Sequence, residues 1–399
     1  MKRYKLYTQI IVYLTCLQIV IASEMNDNIL RPRSAFISFN ALNGILLDRR
    51  QSMIVENFYS GIDIRVGWQT DDFDRNTFDC LFRYPKYGFG YYRGNLNHII
   101  LDPDKQTGFG KPHALYAFFA SPIVREERFR FYYDISLGLS YKFDTYDPVQ
   151  RPYNILVGAN KNVYFTLQFS TEFILHERSA LGVGVSYQHF SNGSLKKPNN
   201  GIDLLSVNLS YQTNLFENHE KSYQRFPIES YQPVWEWQFS LANGLRMLDT
   251  DFDPNEPQNG KRWHCSSIST AVVRQISHHR KIGLGFDYFY YNWGEYVIEY
   301  RAKTQGFEAT TQKRDNMSLG TYVAHEAGYK NVWLLTHFGV YVTDHTGDNP
   351  QNPRIYERLG IKYCITPRLS LGVSIKAHLF IADYIEWTMG YSIKSKSIK

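Results

Sequence analysis

Apolar and polar residues alternate with a period of two along most of this chain. Ile62, Ile64, Val66 and Trp68 interleave with Asp63, Arg65, Gly67 and Gln69. Phe131, Tyr133, Ile135, Leu137, Leu139 and Tyr141 interleave with Tyr132, Asp134, Ser136, Gly138, Ser140 and Lys142. The same alternation runs through 163–170, 181–188, 205–211, 282–289 and 369–376. Successive residues of a strand point to opposite faces, so each run predicts a β-strand with one apolar and one polar side. A soluble sandwich turns such apolar sides inward, whereas a membrane barrel turns them outward to lipid.

Three features favour the barrel. The runs have the length of a tilted membrane strand, about 9–11 residues. Their polar sides are rich in Gly and Ser with scattered Asp, Arg and Lys, which suits a confined lumen. Tyr and Trp gather at strand ends (Tyr288, Tyr290, Tyr291, Trp293, Trp387, Tyr391), as interfacial aromatic girdles do. Short turns near 121–125, 176–179, 274–280 and 364–367 contrast with long ones near 43–58, 95–111, 143–161, 246–260 and 292–317. The expected fold is therefore all-β, an antiparallel up-and-down outer-membrane β-barrel of roughly 12–16 strands. Two connections break the long–short asymmetry, the acidic 70–78 and the charged 214–233. The second divides the chain into a barrel half at 23–213 and further strands at 234–399, whose added role the pattern does not define.

The N-terminus changes the compartment. Lys2, Arg3 and Lys5 precede an apolar run ending in Val20-Ile21-Ala22, the pattern of a cleavable secretory signal over residues 1–22. Without those three cations, 41 basic residues face 38 acidic ones, so the formal charge falls from +6 to +3 and suggests no nucleic-acid partner. Cys80, Cys265 and Cys364 remain, an odd number without CxxC spacing, so neither a zinc site nor a disulfide framework is expected, although one pair has the compartment in which to oxidise. The 31 Tyr and 26 Phe against 15 Pro mark a folded chain.

Candidate chemistry concentrates at one hairpin. Continuing the alternation past Val185 and Tyr187 puts His189 and Ser191 on the apolar side, and Asp203 shares a side with Leu205, Val207 and Leu209. With the loop centred near Lys197, Ser191 stands opposite Asp203 and His189 lies diagonal to it, within reach of long side chains. A serine becomes a nucleophile beside a base, and the base is oriented by an acid. Asn192 and the Gly193 N–H are then candidates to stabilise an oxyanion. From spacing alone a second reading stays open, ordinary polar groups at the rim where a strand leaves the membrane. Elsewhere Asp249-Thr250-Asp251-Phe252-Asp253 resembles a calcium loop, but Pro254 replaces its glycine and Gly260 its terminal glutamate, so a solvated loop is expected there. His278-His279-Arg280 reads as a wet, basic turn. No metal or cofactor is expected.

His189-Phe190-Ser191-Asn192-Gly193, followed by Pro198-Asn199-Asn200-Gly201, resembles the outer-membrane lipid A 3-O-deacylases of PagL type, also called acyloxyacyl hydrolases. The stretch Tyr84–Tyr92 and the segment Ala114–Phe118 are similar to the same family, and the resemblance spans roughly 55–214. It implies hydrolysis of the ester-linked acyl chain at the 3-position of lipid A, with His189 as base, Ser191 as nucleophile and Asn192 in the oxyanion hole. The family's third member is a glutamate, for which Asp203 stands here with one methylene fewer and the expectation of a longer bond to the imidazole. Small members close eight strands soon after that acid, whereas some 196 residues follow Asp203. Lys196 and Lys197 in the loop suit contacts to lipid A phosphates or, equally, a solubilising loop tip. A passive barrel, as a channel or surface-binding protein, is the alternative, and an acyltransferase on the same lipid a third reading.

Overall fold

A computed structural model describes residues 35–47, 54–73, 75–101, 108–215, 223–253, 260–346 and 354–395. The expected signal at 1–22 lies outside the described residues. The first half forms β1 (Ala35–Leu46), β2 (Glu56–Asn57), β3 (Tyr59–Gln69), β4 (Lys86–Asn95), β5 (Ile99–Ile100), β6 (Gly110–Arg125), β7 (Phe129–Phe143), β8 (Asn162–His176), β9 (Ser179–Ser191) and β10 (Ile202–Asn214). The second forms β11 (Val234–Arg246), β12 (Trp263–Ser277), β13 (Arg280–Tyr291), β14 (Met317–Tyr329), β15 (Val332–Asp344), β16 (Ile355–Cys364), β17 (Leu369–His378) and β18 (Ile381–Lys394).

These strands close twice. In the first half the order is β1-β10-β9-β8-β7-β6-β4-β3, with β3 pairing back to β1; in the second it runs β11 to β18, with β18 pairing back to β11. The small pair β2–β5 stands outside both. The antiparallel barrel reading holds, but the strands are shared between two eight-stranded barrels instead of one larger ring. The reason is interior filling. Eight strands leave a space that side chains can occupy completely.

Inside the first barrel, Arg65 bonds Asp63 (3.0 Å), Asp134 and the Tyr116 hydroxyl (3.0 Å), above a cluster that includes Tyr92, Phe118, Tyr164 and Phe190. Inside the second, Arg358 bridges Asp287 (3.2 Å) and Glu386, and Lys281 pairs with Glu236 (2.9 Å). Buried charges are tolerable only when paired and hydrogen-bonded in this way. The outward sides are apolar and exposed: Phe39, Val66, Leu115 and Leu209 on the first barrel, Leu284 and Phe338 on the second. Apolar outside and polar inside is the arrangement of a barrel standing in lipid. Among the described residues no helix is long and apolar enough to cross a membrane. The aromatic girdle needs one correction. Trp387 and Tyr391 do face out, but Tyr291 and Trp293 pack in the second barrel's interior, because Tyr291 continues the inward side of Asp287 and Phe289.

The long connections of each barrel leave from one end and most short ones from the other. In the first barrel 47–58, 96–109, 144–161 and 192–201 share an end; the opposite end has 126–128, 177–178 and the segment 70–85. That last segment carries a short helix, Thr77–Leu81, capped by the Asn76 side chain. The two barrels contact each other like end to like end. At the short-turn end Tyr329 packs on Phe119 (4.9 Å) and Phe82 (5.5 Å), and its hydroxyl donates to Asp79. His279 sits there against Phe82 (5.6 Å), so the expected wet turn is partly an inter-barrel contact. At the long-loop end Met247 N–H donates to Ser194 O (2.8 Å). The barrels therefore stand side by side with the same orientation, and the connection between them starts and finishes at the short-turn end.

Candidate active site

The β9–β10 hairpin is fastened from inside the first barrel. Gln188 accepts from the Tyr59 hydroxyl (2.9 Å) and donates to the Tyr164 hydroxyl (3.1 Å), and Ser186 meets Ser206 (2.7 Å). These inward anchors fix which residues face outward. Tyr187, His189 and Asp203 do, beside Val185 and Leu205.

The register differs from the sequence expectation by one rung pair. Asp203 stands directly opposite His189, and the ladder ends at Ile202 opposite Phe190, so Ser191 lies beyond its last rung on β10. The loop explains the difference. Asn192 takes Lys196 O with its Nδ2 (3.0 Å) and receives Lys196 N–H on its Oδ1 (3.3 Å), while its own N–H donates to Asn199 Oδ1 (3.2 Å). Those bonds give 192–201 its own compact fold, centred before Lys197. Gly201 N–H donates to Leu156 O (3.0 Å), which braces the loop on its neighbour.

His189 Nδ1 is 2.6 Å from Asp203 Oδ1. The expected lengthening is absent because the shorter acid sits straight across the rung, where less reach is needed. The same Oδ1 accepts the Tyr187 hydroxyl. With Nδ1 protonated toward the carboxylate, the basic lone pair of the imidazole is on Nε2. Both side chains are about one third exposed, 29% for His189 and 33% for Asp203. Gly201, at φ +80°, packs so closely on the imidazole that a Cβ there would meet its Cε1 at 2.9 Å.

Ser191 is 3% exposed. Its Oγ accepts from the Gly193 N–H (3.2 Å) and from Asn199 Nδ2 (3.0 Å); among the described residues no hydrogen bond joins it to His189. The structure thus brings His189 and Asp203 into direct contact and groups Ser191 with Gly193 and Asn199. Asn192 is buried, and its amide serves the loop. Lys197 pairs with Asp249 of the second barrel (3.0 Å). Lys196 is half-buried, and burial followed by the nearby Arg262 guanidinium pushes its ammonium below the usual lysine range. The sequence alone gives Tyr187, Asn199 and Gly201 no role. Tyr187 was visible on the apolar side, but only the register shows that its hydroxyl reaches Asp203.

The other candidates hold structure. Asp251, in the calcium-like run, accepts from Trp263 Nε1 and the Tyr296 hydroxyl (2.9 Å). Cys80, Cys265 and Cys364 are free thiols.

Residues 62–212 match the family of lipid A 3-O-deacylases (PagL), and residues 235–395 match the acyloxyacyl hydrolase C-terminal domain. The chain belongs to the PagL family. The two matches fall one on each barrel, so the PagL boundary coincides with the topological one. No curated protein matches. Among solved structures, neisserial surface protein A is 12% identical over 45% of this chain and 97% of its own, with a TM-score of 0.31. The outer-membrane enzyme PagL is 18% identical over 43% and 97%, with a TM-score of 0.26. The toluene transporter TodX of Pseudomonas putida is 8% identical over 90% and 88%, with a TM-score of 0.17. At such scores these likenesses add nothing to the family assignment.

Proposed function

We propose that this protein is an outer-membrane serine esterase, exported by its N-terminal signal, that removes the ester-linked 3-position acyl chain from lipid A. The observation that carries the reading is the His189–Asp203 pair on the apolar outer wall of a barrel, where an acyl ester arrives without leaving the membrane. Ser191 Oγ attacks the acyl carbonyl while His189 Nε2 takes its proton, and Asp203 holds the imidazole and stabilises its protonated form. The Gly193 N–H serves the developing oxyanion, and Asn192, whose amide is taken up by Lys196, holds the loop that presents it. His189 then returns the proton to the departing sugar hydroxyl, and water releases the fatty acid from Ser191. No cofactor takes part. Among the described residues no hydrogen bond joins Ser191 to His189, and catalytic hydrogen bonds commonly tighten only on substrate.

Lys196 and Lys197 are assigned to the phosphates of lipid A, with Lys197 first releasing Asp249. The passive-channel alternative loses support from the lumens, which are filled by ion pairs and aromatic rings. The test is mass spectrometry of lipid A from cells making the full chain. Loss of one hydroxyacyl chain is expected, with no loss for Ser191→Ala. Unchanged lipid A with the wild-type chain overturns the deacylase, and an added acyl chain makes it an acyltransferase.

A further inference from the structure

The second barrel grips the loop that follows Ser191. Ser194 Oγ donates to Ala382 O (2.9 Å), and Ser194 O accepts from Met247 N–H (2.8 Å). Arg262 Nε donates to Leu195 O (2.8 Å), and Asp249 holds Lys197 (3.0 Å). Loop positions 194, 195 and 197 are thus held by Met247, Asp249, Arg262 and Ala382, and Arg262 also lies near Lys196. Ile385 completes the grip. It shares a face with Trp387 and Met389, which are 55% and 57% exposed, yet is itself 9% exposed. Its cover is Gly193, where an added Cβ would come within 2.4 Å of Ile385 Cγ1.

Gly193 is also the residue whose N–H faces Ser191 Oγ, and its φ of +58° is a left-handed conformation that the loop must hold. A donor helps an oxyanion only if it is already aimed when charge develops. We propose that the second barrel is a positioning element for the first barrel's reaction: Ile385 wedges Gly193, and Met247, Arg262 and Ala382 tie the next residues, so that the Gly193 N–H stays aimed at the reacting centre. The four contacts also give the second barrel a task that its packed lumen does not suggest. Ile385, Met247, Arg262 and Ala382 touch no reacting atom and act through the loop.

This inference rests on the deacylase reading, and the experiment separates the two. The full chain, folded and checked by heat-modifiable migration, is assayed on purified lipid A as wild type, Ile385→Ala, Ile385→Leu and Arg262→Ala. Hydrogen exchange across 192–197 is followed in parallel. Wild type without deacylation is a failure of the function. With wild type active, Ile385→Ala is expected to lose about tenfold or more in kcat with KM little changed, since small misplacements of catalytic groups have large rate effects. Faster exchange in 192–197 should accompany it, and Ile385→Leu should recover most of the rate. Arg262→Ala, outside any strand, keeps the test open if Ile385→Ala does not fold, and should show the same split. Wild-type kcat in both alanine variants, or loss in KM alone, overturns the proposal.

Discussion

Asp203 meets His189 across a single rung of the β9–β10 ladder, 2.6 Å from Oδ1 to Nδ1. That geometry sets how each residue of the cluster should respond to change.

The acid's length matters in a definite direction. A carboxylate already in hydrogen-bond contact has no room for another methylene without moving the imidazole or leaving its rotamer. Asp203→Glu should therefore fall below wild type in kcat on lipid A, while Asp203→Ala, which leaves the imidazole unoriented, should fall further. A glutamate variant faster than wild type would mean that the pair is set too short for the reaction.

On the proposed reading, Ser191 and His189 act as one unit. Ser191→Ala and His189→Ala should each reduce kcat by several powers of ten, and the double variant should be little worse than either. Both should still give heat-modifiable barrels, since neither side chain joins the lumen network. Equal lipid A deacylation by Ser191→Ala and wild type would assign the nucleophile elsewhere.

The barrel class was legible because a period of two survives any detail of closure. Asp63, Arg65 and Gln69 went inward and Val66 outward as the alternation required. What the pattern lacks is the identity of each strand's second neighbour, so closure of β10 on β1, which makes two rings out of sixteen strands, could not be read from it. The same limit applies at the site. Parity put His189, Ser191 and Asp203 on one side in either register, but the loop's internal bonds through Asn192 and Asn199 decide which of them meet. The inter-barrel grip on Gly193 left no local sequence signal, because its partner Ile385 is almost two hundred positions away and looks like any lipid-facing residue.

Tyr187 supplies a milder test of the same cluster. Its hydroxyl donates to the Asp203 oxygen that also receives His189. Tyr187→Phe keeps the ring on the outer wall and removes that one bond. A net loss of about 1 kcal/mol is typical for one hydrogen bond, so kcat should drop roughly fivefold, with no more than a comparable loss of barrel stability. A loss as large as that of His189→Ala would give the phenol a direct part in the chemistry.

The interiors predict stability rather than rate. Arg358 lies between Asp287 and Glu386 in the second lumen, and its removal leaves two buried carboxylates facing each other with one less cation. Breaking one partner of a buried pair costs about 3–5 kcal/mol, more than an isosteric apolar exchange of the whole group. Arg358→Met should accordingly lower the denaturation midpoint of the second barrel well below that of wild type, measured by loss of heat-modifiable migration in urea. Adding Asp287→Asn and Glu386→Gln should recover part of the loss, because the amides need no counter-ion. A single variant as stable as wild type would show that water reaches this lumen and screens the carboxylates.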